Sequence, residues 1–137
     1  MPKVFTSKSQ QTGEIGENVA VKFLMKHGFS IIERNYTKKW GEIDIITEKD
    51  NRVHFIEVKS VQRDISVFPF IGHESNDYRA EDNMHPWKLK RLSRTIQTYL
   101  ISRKVPEDKE WQLDLLIVYL DLKNKKAKIK VENDIVL

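Results

Sequence analysis

Apolar side chains recur along this chain first at helical spacing, then in strand-like alternation, then at helical spacing again. Between Thr12 and His27, the residues Ile15, Val19, Ala20, Phe23 and Leu24 fall on one side of a helix. Thr12 is the expected N-cap and Gly28 the expected stop. Residues 1–11, ahead of that helix, are polar and are expected to fray. Three strand-like runs follow, over residues 29–36, 41–47 and 53–60. The last two are joined by Asp50-Asn51, a pair suited to a two-residue hairpin turn. Residues 61–85 carry Pro69, Gly72 and scattered acids without periodicity, and predict a long loop of the kind that is often functional. Pro86 is a favoured first helical residue. Leu89, Leu92, Ile96, Tyr99 and Leu100 make the core stripe of a second helix, which runs to about Lys104 and is ended by Val105-Pro106. The run WQLDLLIVYL at 111–120 is apolar on both faces and predicts a buried strand. Lys126, Lys128 and Lys130 then alternate with Ala127, Ile129 and Val131, as on an edge strand. The order helix, three strands, helix, two strands predicts one α/β domain over residues 1–137, a central mixed sheet of about five strands flanked by helices.

The stretch GEIDIITEKDNRVHFIEVK, residues 41–59, puts acids where buried strands normally carry apolar residues. Alternate strand residues share a face, so Glu57 and Lys59 stand side by side. With the turn centred on Asp50-Asn51, residue i faces residue 101 − i. Asp44 then lies opposite Glu57, and Glu42 opposite Lys59. A one-residue slip would break this register. Hard oxygen ligands suit Mg²⁺ or Mn²⁺, which keep several waters and accept phosphate oxygens. An adjacent lysine can orient water or stabilise developing charge. Asp44, Glu57 and Lys59 therefore suffice for metal-assisted phosphodiester hydrolysis. Glu17 projects within roughly 20° of Leu24 on the first helix and is positioned to look toward the same patch. The competing explanation is that Glu-x-Lys merely solvates an exposed sheet face. Against it stand the flanking Ile43, Ile45, Ile46, Phe55, Ile56 and Val58, which imply a buried sheet.

Composition narrows the partners. The chain has 137 residues, 39% hydrophobic and 32% charged, with a formal net charge of +4. That permits an anionic partner without requiring one. There is no cysteine, which excludes disulfides and cysteine-based metal sites. No apolar run approaches the roughly 20 residues needed to span a bilayer, and the N-terminus lacks the apolar segment of a secretory signal. A cytoplasmic protein without membrane partners is expected. Lys88, Lys90, Arg91 and Arg94 lie off the apolar stripe of the second helix, in a run free of acids between Asp82 and Glu107. They form either a phosphate-binding face or an ordinary solvated one. Arg34 and Asn35 have two equal readings, phosphate contact or strand anchor. Asp114 either approaches the site or, as preferred, is a buried acid satisfied locally. The four histidines show no ligand spacing. Trp40, Phe68, Phe70, Tyr78 and Trp87 can stack on bases, although core or loop anchoring is the commoner role for such residues. Gly13 and Gly16 do not follow a strand, so no phosphate loop is indicated.

Together the segments GEIGENVAVKFLMKHGF, IIERNY, GEIDII and FIEVKS resemble the YraN-type family of small bacterial proteins. That family is similar in its motifs to archaeal Holliday-junction resolvases and to PD-(D/E)xK nucleases of restriction-endonuclease-like fold. The resemblance implies that Asp44 and Glu57 are metal ligands, that Lys59 is the motif lysine and that Glu17 is the first-helix glutamate of resolvase-like members. Glu42 belongs to the motif without an assigned role. It implies Mg²⁺ (or Mn²⁺) as cofactor, DNA as substrate, branched or repair-related DNA in particular, and a homodimer. The alternative is a non-catalytic nucleic-acid-binding or scaffold module with the same fold. The segment from Ser60 to His85 departs from the short basic turn expected after EVK, and it carries Glu74, Asp77, Glu81 and Asp82. Substrate choice would rest with the chain's own loops, dimer geometry or a recruiting protein.

Overall fold

The Asp50-Asn51 pair turns the chain with both residues at positive φ, 52° and 62°, the doubly left-handed geometry of a type I′ hairpin. The flanking strands pair Ile45 with Ile56, Ile46 with Phe55, Thr47 with His54, Glu48 with Val53 and Lys49 with Arg52, which is the expected register. The computed structural model describes residues 8–66 and 84–137. Within them run α1 (Lys8–Lys26), β1 (Ser30–Lys38), β2 (Gly41–Lys49), β3 (Arg52–Gln62), α2 (Pro86–Ser102), β4 (Glu110–Asp121) and β5 (Lys126–Glu132). One mixed sheet has the order β1-β2-β3-β4-β5. Only β3 and β4 are parallel, and α2 lies between them in the chain, as a parallel connection requires.

The two helices cover opposite faces of this sheet. Against α1, Ala20 and Leu24 pack with Ile45, Ile56, Leu116, Val118 and Leu120. Against α2, Leu92, Ile96 and Tyr99 pack with Ile43, Ile46, Phe55, Leu113, Leu115 and Ile117. That is why β4 is buried without interruption from Leu113 to Asp121. Edge-on ring contacts join Tyr36 to Tyr99, Tyr99 to Phe55 and Phe55 to Trp111. At the far edge β5 pairs with β4 alone and exposes Lys126, Lys128 and Lys130.

Two details of α1 differ from expectation. The helix begins at Lys8, so residues 8–11 are helical and Thr12 is not its cap. Thr12 is buried instead, and its hydroxyl accepts a 2.6 Å bond from Gln62 Nε2 of β3. The buried stripe is Thr12, Gly16, Ala20 and Leu24, at every fourth position with the first three small, while Ile15 is 41% exposed. A Cβ at Gly16 would collide with the Ser60 hydroxyl. The helix therefore lies closer to the sheet than a stripe of large side chains would allow. The second helix starts at Pro86 as expected, with His85 accepting from the Trp87 N–H as its cap. Of the expected 61–85 loop, residues 67–83 lie outside the described residues, and with them Phe68, Phe70, Tyr78 and the acids Glu74, Asp77, Glu81 and Asp82.

Candidate active site

The paired register of β2 and β3 ends at Ile45–Ile56, one step short of the expected Asp44–Glu57 pair. Beyond that step the Asp44 carboxylate takes over from the ladder, its Oδ2 accepting the Val58 N–H at 2.8 Å. The alternation of β2 breaks at the same level, since Ile43 and Ile46 face α2 while Ile45 faces α1. On the other side, between the Arg34–Ile45 and Tyr36–Ile43 pairs of β1 and β2, Asn35 takes φ 54°. Asn is among the few non-glycine residues that adopt this conformation readily. The sheet is thus locally distorted where its acids emerge.

Asp44, Glu42, Glu17 and Lys59 line one cavity of about 870 Å³, with Arg34 and Asn35 in its wall. Glu17 arrives from α1, which Gly16 holds against Ser60. Its Oε1 accepts from Arg34 Nη2 at 3.0 Å, Arg34 Nε at 3.2 Å and Asn35 Nδ2 at 3.2 Å. Arg34 also donates to Asn18 Oδ1 at 2.8 Å. Arg34 thus ties its strand to α1 through Glu17 and Asn18, the anchoring reading, and also lines the cavity. Glu57 belongs to the neighbouring cleft of about 280 Å³, which it shares with Glu42, Trp87, Lys88 and Arg91. It is 6% exposed. Its Oε2 stands 3.5 Å from Lys88 Nζ, and its buried Oε1 has no hydrogen-bond partner.

Burial is the first reason that both acids resist ionisation. It pushes Glu57 up to about 8, with the Asp44 charge adding to the rise and Lys88 opposing it. Burial likewise raises Asp44 to about 6; the Val58 N–H opposes this, and the charges of Glu17 and Glu42 add to it. An anionic pair in such surroundings invites a cation. Among the described residues no group of three or more acids or histidines converges. Mg²⁺ typically takes one or two carboxylates and completes its shell with water and phosphate oxygens.

The basic residues of α2 divide. Lys88 is paired with Glu57, while Lys90, Arg91 and Arg94 are exposed. The Arg94 guanidinium lies 4.2 Å from the centre of the Trp40 ring, and that of Arg91 lies 5.4 Å from the centre of Trp87. Asp114 lies elsewhere, buried and satisfied by His54 Nδ1 at 2.8 Å, Gln112 Nε2 at 2.7 Å and the Asp134 N–H at 2.9 Å. Its structural role is the preferred reading, and His54, without apparent purpose in the sequence, is its partner. Asn35 and Trp87 were legible only as options. The sequence signal for Asn35 is an asparagine inside a strand, a residue depleted there but tolerant of positive φ.

The profile of the uncharacterised protein family UPF0102 matches residues 16–118, three quarters of the chain. The chain belongs to the UPF0102 family. A UPF0102 protein of Campylobacter lari is 41% identical over 106 residues, covering 77% of this chain and 81% of that protein. One of Campylobacter jejuni (strain RM1221) is 37% identical over 115 residues, 84% of this chain and 89% of that protein. One of Campylobacter hominis is 34% identical over 109 residues, 80% and 84% of the two chains. The YraN-type resemblance thus holds at the level of the family. The UPF0102 match begins at Gly16 and takes in Glu17, Asp44, Glu57, Lys59 and all of α2. No described helix is long and apolar enough to cross a membrane.

Proposed function

We propose that this UPF0102 chain is a divalent-cation-dependent nuclease that hydrolyses DNA phosphodiester bonds on a restriction-endonuclease-like core. The observation that carries the reading is the buried Glu57 carboxylate beside Asp44. One of its oxygens lacks a partner, and its ionisation is resisted by burial and by the neighbouring charge. Asp44 and Glu57 would hold Mg²⁺ or Mn²⁺, which supplies polarisation of a phosphoryl oxygen and a more acidic water. Lys59, exposed and lining the same cavity, orients the attacking water or stabilises charge developing on the phosphate. Glu17 is fixed by Arg34 and Asn35, so it presents a carboxylate of set orientation to the same cavity. Lys90, Arg91 and Arg94 hold the phosphate backbone. Branched or repair-related DNA fits a homodimer, because symmetric cutting needs two sites, and light scattering tests that state.

A specific observation favours a second reading. Two of the acids already have protein cations: Lys88 sits on Glu57 and Arg34 on Glu17. Acids neutralised in this way need no metal, which suits a non-catalytic nucleic-acid-binding or scaffold module. The deciding experiment offers labelled duplex, single strand, flap and four-way junction with Mg²⁺, Mn²⁺ or chelator. Metal-dependent cutting by the wild type, lost in both Asp44→Ala and Lys59→Ala, supports the nuclease. Binding without cutting under every condition supports the module.

A further inference from the structure

Trp87 is an aromatic side chain that packing among the described residues does not explain. It lies one residue past the start of α2 and is 55% exposed. A single exposed apolar residue is ordinary. This one is the common wall of two cavities. On one side is the cleft of Glu57, Glu42, Lys88 and Arg91. On the other is a groove of about 660 Å³, lined by His85, Leu89, Lys90, Ser93 and Leu137. That volume lies within the roughly 300–1,000 Å³ range of small-ligand sites. The Arg91 guanidinium, which lines only the carboxylate cleft, lies over the indole at 5.4 Å. The His85 ring stands 5.8 Å from it, tilted by 49°. Helix α2 carries Lys88, Lys90, Arg91 and Arg94 and no acid along its whole length.

We infer that Trp87 is a stacking platform for an unpaired nucleobase, which sits in the groove beside His85 and Leu89 while its phosphates lie along the Lys88–Arg91 side of the ring. Flat apolar surface backed by a guanidinium and flanked by cations is the combination that holds single-stranded nucleic acid, because every base has a π-face and every phosphate a charge. The groove is apolar where a base would lie, and the cleft beside it is polar where a backbone would pass. A paired base inside a duplex cannot offer its face to an indole. The ligand class is therefore DNA with unpaired nucleotides, such as a flap, a junction branch point or a single strand. The inference rests on the nucleic-acid reading above, but not on catalysis.

The test is fluorescence-anisotropy binding with chelator present, using the full chain. The probes are a labelled oligothymidylate and an abasic backbone of the same length, which separate base stacking from phosphate contact. The wild type is expected to prefer the oligothymidylate. Trp87→Ala should weaken that binding on the order of tenfold, the scale of one lost base–aromatic stack, while leaving the abasic backbone unchanged. Trp87→Phe keeps a ring and should retain most of the preference, which guards against a folding defect in the alanine variant. Equal binding of both probes by the wild type, an undiminished preference in Trp87→Ala, or no binding of either probe would overturn the proposal. Because no cleavage is read, a negative nuclease assay leaves a positive stacking result standing, and the converse also holds.

Discussion

Replacing Glu57 by glutamine gives the sharpest check on the site, because a glutamine keeps the shape and removes only the ionisation. In the folded protein Glu57 is raised from 4.5 to about 8. Between those two values the folded state holds a proton that the unfolded chain has released. Stability contributed by this group is therefore present in full below about pH 4.5 and is lost as pH rises toward 8 and beyond. At about 1.36 kcal/mol per pH unit, the whole interval is worth at most about 4–5 kcal/mol. Water entering the open cleft lowers that figure, and about 3 kcal/mol is a reasonable expectation near pH 8.5. Lys88 loses its partner in the variant, but its side chain is 41% exposed and a partly solvated ammonium loses little.

The assay is thermal unfolding in chelator at about pH 4 and again near pH 8.5. For a chain of this size each kcal/mol shifts the midpoint by about 3 °C. Glu57→Gln is therefore expected to melt about 9 °C above the wild type at the higher pH and nearly level with it at the lower, where Glu57 is already protonated. Added Mn²⁺ should raise the wild-type midpoint and not that of the variant. A variant less stable than the wild type near pH 8.5, or a shift of the same size at both pH values, would refute the claim that Glu57 is a buried acid ionising against its surroundings.

Mn²⁺ binding followed by calorimetry should weaken as pH falls below about 8 and release protons on binding, since the ligands must be ionised to hold the cation. Gly16→Ala should destabilise the fold by about 2 kcal/mol in urea, because the new methyl would stand 2.8 Å from Ser60 Cβ; adding Ser60→Gly should recover most of the loss. Asn35→Ala should cost about 1 kcal/mol for its left-handed backbone, whereas Asn35→Gly keeps the stability and loses only the bond to Glu17. Asp114→Ala should cost about 2–3 kcal/mol in denaturant by stranding His54, Gln112 and the Asp134 N–H, and on the proposed nuclease reading it leaves cleavage per folded molecule unchanged.

The order of elements along the chain and the hairpin register were legible because both depend on local, periodic features: the Asp50-Asn51 turn, the alternation on either side of it and the apolar run at 111–120. What escaped was decided by contacts between distant segments. Nothing near Thr12 announces that its hydroxyl will meet Gln62, fifty residues on, so the residue reads as a cap. Gly16 says nothing in its own neighbourhood beyond the lack of a phosphate loop, because Ser60, the residue that requires it, lies in a distant strand. The pairing of His54 with Asp114 needs β3 and β4 to be parallel neighbours in one register, a fact of topology and not of pattern. Trp87 looks like core by residue type, and only its position between two cavities shows otherwise.

Apart from the bulge between Ile31 and Glu33 in β1, the departures from regular sheet geometry fall together. Where β2 meets its neighbours the ladder stops after Ile45–Ile56, the inward–outward alternation breaks between Ile43 and Ile46, and Asn35 turns left-handed one strand away. In the same place a buried carboxylate oxygen goes without a partner. Each of these departures costs stability, and each could be removed by a residue of the kind that fills the rest of the sheet. Acids that merely solvated a strand face would need none of them, because a regular ladder can carry Glu and Lys outward indefinitely. Departures from an otherwise consistent fold gather where something other than folding is served. Their convergence on Asp44 and Glu57 is the physical reason to look for a bound cation there and not along the equally charged edge at Lys126, Lys128 and Lys130, where the strand is regular and every charge faces water.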